Sequence, residues 1–451
     1  MLSPDKNTVL TSFGRGTPAG EMLRRYWWPI AFSADLAAPD VRKVRLLGED
    51  LALFRQADGS VHVLADRCPH RGAALSRGIV EADGLRCPYH GWLFDGSGAC
   101  LQQPGEPADS TFRDRVHAPA YRAEELGGLV FLYLGPSPAP ALPRYDLFCW
   151  DDAIRDVGHA VVPCNMVQIL ENGVDLDHVA WLHGRYSEWL TSRGTGGGIP
   201  EMFTRFNEVT AFERAPYGIL MRRRLQGQDE SADDWAVGHP LVFPNLLRLG
   251  GGGSYSFHIR VPVDDENTWC LWYTAYKPGN RPVADPGPVS SYEVPWRRAD
   301  GDFRLDNVEG QDIMAWVTQG TVADRSTEHL GTVDEGVILL RRLLFEQIEA
   351  VAAGRDPVNT FRDDAPAVIE LPQEHEKFGN GSAYLADVMN ATQARFSGRR
   401  EEILRRFAEA DAEADSGTDT EQTSEQTSEP PCVPTSEPTS EATARTTVLA
   451  P

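Results

Sequence analysis

Nowhere in the 451 residues does an apolar run approach the length of a membrane span, and the first ten residues lack the basic and apolar regions of a secretory leader. Positive charge is scarce: 43 Lys and Arg stand against 66 Asp and Glu, a formal net charge of -23. Nucleic acid and anionic membrane surfaces would repel such a chain and are excluded as partners. Cysteine is sparse as well. Of the seven present, Cys100, Cys149, Cys164, Cys270 and Cys432 show no paired spacing, which predicts reduced thiols rather than a disulfide framework. No glycine-rich dinucleotide fingerprint follows a strand, so any flavin or nicotinamide step must lie on another protein. These absences predict a cytoplasmic protein that binds neither membrane nor nucleic acid.

What is present suggests two domains with short flanks. Thr17 and Pro18 predict a cap and first turn, leading into a short helix over 21–28 that Pro29 ends. Strands follow at 44–47, 51–55 and 61–65, with Asp58-Gly59 as a hairpin turn, and again at 129–134. Pro136, Pro138, Pro140 and Pro143 mark a boundary. Beyond it, 159–168 reads as a strand, 169–183 as a helix stopped at Gly184, and 203–277 as further strands. In the last of these, His258 falls opposite Phe257, Ile259 and Val261 and is given no role. A helix capped by Asp334 buries Val337, Leu340, Leu344, Ile348 and Val351 as one stripe. The fold class is therefore α+β: 1–30 an N-terminal loop and helix, 31–143 a small antiparallel β domain, and 144–410 a larger domain with an antiparallel sheet flanked by helices. The remainder, 411–451, is an acidic Ser/Thr/Glu/Pro tail too poor in apolar residues to fold.

Two motifs carry chemistry. In the first, Cys68-Pro69-His70 and Cys87-Pro88-Tyr89-His90 each offer one soft sulfur and one imidazole, beside Gly72 and Gly91. A two-iron, two-sulfur cluster with two thiolates on one iron and two imidazoles on the other needs this set; tetrahedral zinc is the competing occupant. The pattern resembles the Rieske family. High-potential members in cytochrome bc complexes have an extra cysteine in each loop, where this chain has Ala73 and Tyr89, and a cluster-bonding serine where it has Trp92. The resemblance therefore implies a potential toward the low end of the Rieske range, about -150 mV.

The second motif lies in 171–183. Two histidines and a carboxylate on one face of an iron leave positions for dioxygen, water or substrate, and His178 and His183 supply the imidazoles. A five-residue step leaves side chains roughly 140° apart on a straight helix. The chain must therefore bend near Gly184 to aim both. Asp175, three residues before His178, shares its face and is placed to hydrogen-bond it.

The spacing Asn172, Asp175, His178, His183 is similar to the iron motif of Rieske non-haem iron oxygenases. The opening (Gly16-Thr17-Pro18 through Trp27) and Gln311-Asp312 and 324–331 look like the phthalate-dioxygenase branch. That likeness implies Asp312 as the third iron ligand, with Asp306 and Glu309 as alternatives from sequence alone. It further implies a terminal oxygenase component fed by an NAD(P)H-dependent reductase bearing flavin and/or ferredoxin, and a head-to-tail homotrimer. In that trimer Asp175 bridges one subunit's cluster histidine and the next subunit's His178. The competing class is a Rieske electron carrier without an iron site of its own. Substrate class rests on the pocket, where Arg222 and Arg224 are candidates to clamp a carboxylate if their segment is a strand, with Arg223 pointing opposite. Hydroxylation and O-demethylation use the same ligands.

Overall fold

Thr17 caps its helix as the sequence predicts: its side chain accepts from the Gly20 N–H, with Pro18 in the first turn. In the computed structural model of the protein, which describes residues 1–196, 201–362, 365–375 and 379–418, that helix is α2 (Pro18–Leu23), preceded by α1 (Pro4–Thr11). It ends sooner than predicted. Trp27 and Pro29 belong instead to a strand, β1 (Trp27–Phe32), because the Trp27, Trp28 and Ile30 side chains are buried against β10 (Leu129–Tyr133). The strand crosses the boundary expected at residue 30.

Between them, β2 (Asp40–Leu46), β3 (Glu49–Arg55), β4 (Val61–Ala65) and β9 (Ala120–Leu126) complete a six-stranded sheet in the order β1-β10-β9-β4-β3-β2. Gly59, at φ 89°, makes the β3–β4 turn. A second sheet has four short strands, β5 (Ile79–Glu81), β6 (Gly84–Arg86), β7 (Leu93–Phe94) and β8 (Cys100–Gln102); the loop of Cys87 and His90 joins β6 to β7, and the loop of Cys68 and His70 lies between β4 and β5.

After α3 (Asp146–Cys149) the chain enters an eight-stranded sheet with β11 (Ile154–Val162). Next come α4 (Met166–Gly173), a π-helical turn Val179–Arg185, α5 (Tyr186–Ser192), β12 (Asn207–Ala215), β13 (Gly218–Leu225) and α6 (Asp233–Ala236). The sheet continues through β14 (His239–Val242), β15 (Leu246–Gly251), β16 (Ser254–Pro262), β17 (Thr268–Tyr276) and β18 (Ser290–Glu293). Its order is β12-β13-β14-β15-β16-β17-β11-β18, antiparallel throughout except for the parallel pair β11/β18. Helices α7 (Val308–Thr318), α8 (Glu335–Ala352), α9 (Gly381–Ala391) and α10 (Arg400–Thr418) follow.

Period-two alternation divides this sheet chemically. One face, with Val157, Phe257, Ile259, Leu271 and Tyr273, enters the largest core. The other carries Asp156, Ser256, His258, Arg260 and Thr274. Against it pack Ile169 of α4 and Ile313 and Trp316 of α7, on Cys270 and Trp272. The α8 stripe is buried as predicted, but Asp334 caps differently: its Oδ2 accepts from the Gly331 N–H at 2.7 Å. Met1–Asp411 forms one compact unit. The last helix runs to Thr418, past the expected start of the tail at 411, and positions 419–451 lie outside the described residues.

Candidate metal centres

The two Cys-His loops are built alike. In one, the Gly72 N–H donates to the Cys68 carbonyl at 2.8 Å and the Cys68 N–H to Ala73 at 2.9 Å; in the other, Gly91 donates to Cys87 at 3.1 Å and Cys87 to Trp92 at 2.8 Å. Closing each turn needs a left-handed residue, and Gly72 (φ 75°) and Gly91 (φ 73°) supply it without a Cβ clash. Cys68 and Cys87 are buried, while His70 and His90 are exposed with ring centroids 4.5 Å apart. Burial, with the Cys87 thiol alongside, pushes the Cys68 thiol up to about 11. Two sulfurs held together inside and two imidazoles at the rim match the donor set of a [2Fe-2S] cluster with its histidine-bound iron outermost. Trp92 stacks on His70 at 4.4 Å and 7°.

The predicted 169–183 helix is broken into three. α4 ends at Gly173, residues 174–178 turn, and His178 then starts the π-helical segment. A π-turn closes its hydrogen bonds over five residues, so side chains five apart return to the same face. This is the bend that a straight helix lacks, and it brings the His178 and His183 rings to 5.2 Å. Gly184 is not a stop: the helix continues as α5, and glycine is needed because a Cβ there would lie 2.5 Å from the Phe203 carbonyl.

Across from them, α7 presents Asp312. Its Oδ1 lies 3.2 Å from His183 Nε2 and 3.7 Å from His178 Nε2, so the three side chains bring their ligand atoms close enough to share one metal ion. Gln311 accepts from His183 Nδ1 at 2.9 Å, and its own amide donates to Ser187 Oγ at 2.7 Å and to the Leu305 carbonyl at 3.0 Å. That fixes the tautomer and leaves Nε2 for a metal. Burial works against charge on both His183 and Asp312. Their mutual attraction prevails, raising the imidazole and lowering the carboxyl. On His178 burial prevails, and its pKa is lowered.

The other sequence candidates fall out differently. Asp306 is drawn off to Arg395 at 3.2 Å. Glu309 lines the cavity, and burial pushes it up to about 8. Asp175 keeps its carboxylate 3.9 Å from His178 Nδ1, which instead meets the Asp175 backbone carbonyl. The carboxylate accepts from the backbone N–H groups of Asp177 and His178 at 3.0 and 3.3 Å. Asn172 lines the cavity. Behind this segment, Arg325 and Arg341 both reach Glu171 on α4, Arg325 with two bonds of 2.8 and 2.7 Å. The 324–331 run thus anchors the helix that precedes the ligands.

A cavity of about 240 Å³ opens beside the three ligands. Arg222 and Arg224 do not reach it. Arg222 Nε donates to Glu213 at 3.0 Å and Arg224 approaches Glu208, because alternation on β13 turns Met221, Arg223 and Leu225 inward. Arg223 lines the cavity instead, its Nε donating to Asp234 at 3.2 Å. Sequence reasoning also missed His258 and Arg260, which line it from β16. Burial, then Arg260, pushes His258 down to about 3, so its ring is neutral. The available signal was the pair of basic residues at alternate positions of a strand whose other face is fully apolar.

Residues 26–119 match the family described as the Rieske [2Fe-2S] domain, and residues 298–372 the family described as "LigXa C-terminal domain like". Among curated proteins, the chain is 37% identical over 380 residues to the 5,5'-dehydrodivanillate O-demethylase oxygenase subunit of Sphingobium sp., covering 83% of this chain and 87% of that one. It is 32% identical over 406 residues to the phthalate 4,5-dioxygenase oxygenase subunit of Pseudomonas putida, covering 82% and 91%. Among solved structures it resembles Pseudomonas putida NdmA, with a TM-score of 0.57 at 20% identity over 77% of this chain and 97% of that one.

Proposed function

The chain belongs to the Rieske-type non-haem iron oxygenases, and from that premise we propose that it hydroxylates or O-demethylates an aromatic acid, with electrons from a separate NAD(P)H-dependent reductase. Cys68, His70, Cys87 and His90 would hold the [2Fe-2S] cluster, and His178, His183 and Asp312 the mononuclear Fe(II). When bound, the two groups supply single electrons and a site where dioxygen is reduced. The carrier-only reading is set aside by full-length relatives that are oxygenase subunits.

The observation that carries the substrate class is Arg260. Its side chain is 7% exposed, held between the rings of Trp272 at 5.4 Å and Trp316 at 5.3 Å, and lines the cavity. Its Nη1 makes no hydrogen bond of regular geometry among the described residues, although the Cys270 thiol and the Asp312 carboxylate both lie near enough to feel its charge. A buried cation with an open donor is costly unless an anion completes it, and a carboxylate fits a guanidinium bidentately. Leu247, Leu249, Val388 and Met389 form apolar wall for a ring, and neutral His258 can orient a phenolic or methoxy oxygen.

A ring of subunits supports electron supply to the iron in this reading. Trp181 and Trp189, 63% and 50% exposed, flank the iron-binding turn, and Tyr89, 56% exposed, adjoins the cluster histidines. Large aromatics left in water beside both centres suit a head-to-tail homotrimer. Asp175, half-buried, would stand between them. A cytoplasmic location fits as well: no helix among the described residues is long and apolar enough to cross a membrane. A ferredoxin donor has a parallel in the solved complex of carbazole 1,9a-dioxygenase oxygenase with ferredoxin.

The test is product analysis with a surrogate reductase, offering 5,5'-dehydrodivanillate, phthalate and their uncharged methyl esters. Turnover of acids with a raised KM in Arg260→Met is expected. Equal turnover of acids and esters would overturn the aromatic-acid reading.

A further inference from the structure

The cavity face of the sheet carries a second chemical feature, on strands other than the elements that present His178, His183 and Asp312. In register, Ser256 of β16 lies opposite Thr274 of β17, and Thr274 opposite Asp156 of β11. Ser256 and Thr274 line the cavity, and their hydroxyls are 3.4 Å apart. Two residues along the same face of β17, Tyr276 lines the cavity too, and its hydroxyl lies beside both Thr274 and Asp156.

Asp156 is fully buried. Its Oδ2 accepts from Ser397 Oγ at 2.5 Å, and Ser397 Oγ in turn accepts from the Arg399 N–H at 3.1 Å. Its Oδ1 and the Tyr276 hydroxyl form no hydrogen bond of regular geometry among the described residues, yet the two side chains interact with each other, and Tyr276 also interacts with Thr274. Among the described residues no cation neutralises the carboxyl by contact: the Arg399 guanidinium is spent on Glu402 and on the carbonyls of Pro286 and Pro288. Buried polar groups that serve packing alone are satisfied. Here two exchangeable groups face each other without being locked in a regular hydrogen bond, an arrangement that packing alone does not call for.

We propose that Asp156, Tyr276, Thr274 and Ser256 form a proton relay from the Ser397 edge of the sheet to the cavity where dioxygen is reduced. Two-electron reduction of dioxygen takes up two protons, whether it ends as peroxide or as an oxygenated product with or without water. In each transfer the hydroxyl nearest the cavity breaks its O–H bond and gives the proton to reduced dioxygen, and the next group donates to it in turn. Asp156 gives up its proton and takes one from the Ser397 Oγ–H, which is replenished from solvent at the sheet edge. Electrons come from the family's reductase route, so the relay moves protons only.

Burial pushes Asp156 up to about 7, against the opposing pull of Ser397, Arg399 and Tyr276. A donor with that affinity both holds and releases protons at neutral pH. The groups facing it are Ser397 and Arg399 ahead of α10, Tyr276 of β17 and Tyr292 of β18. Tyr292 reaches it over Gly158, where a Cβ would stand 3.0 Å from its ring.

The relay rests on the oxygenase chemistry and not on the aromatic-acid reading, so its test needs no substrate. Chemically reduced holoenzyme is mixed with oxygenated buffer; proton uptake is followed with an indicator dye, and cluster oxidation by absorbance. Infrared difference spectra across neutral pH report the protonated carboxyl separately. Asp156→Asn should keep cluster and iron, lose the infrared band that titrates near 7, and slow proton uptake by at least about tenfold. Uptake at the wild-type rate with the wild-type pH profile would overturn the relay. Should Asp156→Asn fail to fold, Thr274→Val cuts the path at its cavity end. Slowed uptake with iron retained supports the relay there, and an unchanged rate rejects it.

Discussion

His183 donates from Nδ1 to Gln311 Oε1 at 2.9 Å, and the next residue along α7, Asp312, faces the same imidazole from its other nitrogen at 3.2 Å. One helical turn therefore fixes both the tautomer and the metal-facing charge of His183. Replacing Gln311 with Leu keeps bulk and removes the acceptor. Fe(II) affinity, measured by competition with a chelator, should weaken roughly 10- to 100-fold; unchanged affinity would mean that packing alone holds the ring.

The two metal centres occupy separate segments and should be separable. Cys68→Ser should abolish the visible cluster absorption while iron analysis still finds the mononuclear ion. Asp312→Ala should do the reverse, keeping the colour and losing turnover, since two imidazoles lack the compensating anion. Full activity in Asp312→Ala would move the carboxylate role to cavity-lining Glu309.

Asp175→Asn preserves shape and removes charge. Both metals should remain, while reoxidation of the chemically reduced cluster by oxygen and substrate collapses. Reoxidation at the wild-type rate, or an active monomer on sizing, would exclude the inter-subunit route.

Arg325 is 1% exposed and holds Glu171 with two bonds while Arg341 provides a third. Arg325→Met should therefore destabilise by on the order of 3 kcal/mol, the cost of stripping one partner from a buried ion cluster that retains another. Urea midpoints would show it, and a shift within error would mark the pair as dispensable.

Asp156 also gives stability a pH signature. Its carboxyl binds a proton more tightly folded, up to about 7, than at the ordinary 3.8. The native state is therefore favoured below about pH 4 and loses that advantage as pH rises toward 7, by on the order of 4 kcal/mol at most. Urea titrations of wild type and Asp156→Asn should converge at the acid end in their pH slope and diverge above it. Parallel curves throughout would place the proton elsewhere.

The parts of the molecule that could be read from the sequence were those set by local chemistry. The Cys-Pro-His and Cys-Pro-Tyr-His loops, the Thr17-Pro18 cap and the α8 stripe each depend on neighbours a few residues away, and each stands where the residues predict it. Three readings depended on distant contacts. The 21–28 helix gave way to a strand because burial against β10 outweighed local preference. The inward choice of Arg223 over Arg222 and Arg224 was set by which face of β13 meets the interior. Asp312 was named by likeness; its place opposite both histidines comes from the approach of α7 to the π-turn, which the sequence does not show.

The π-turn between His178 and His183 makes residue count, rather than residue identity, the quantity under constraint. Leu182 is only half-buried, so that position should accept wide substitution, whereas Val179 lines the cavity and Ala180 is buried. A one-residue deletion within 179–182 would restore an α-helical repeat, rotate His183 relative to Gln311 and displace every contact of α5. In a mutational scan, insertions and deletions here should be lethal to iron binding at positions where point changes pass unnoticed.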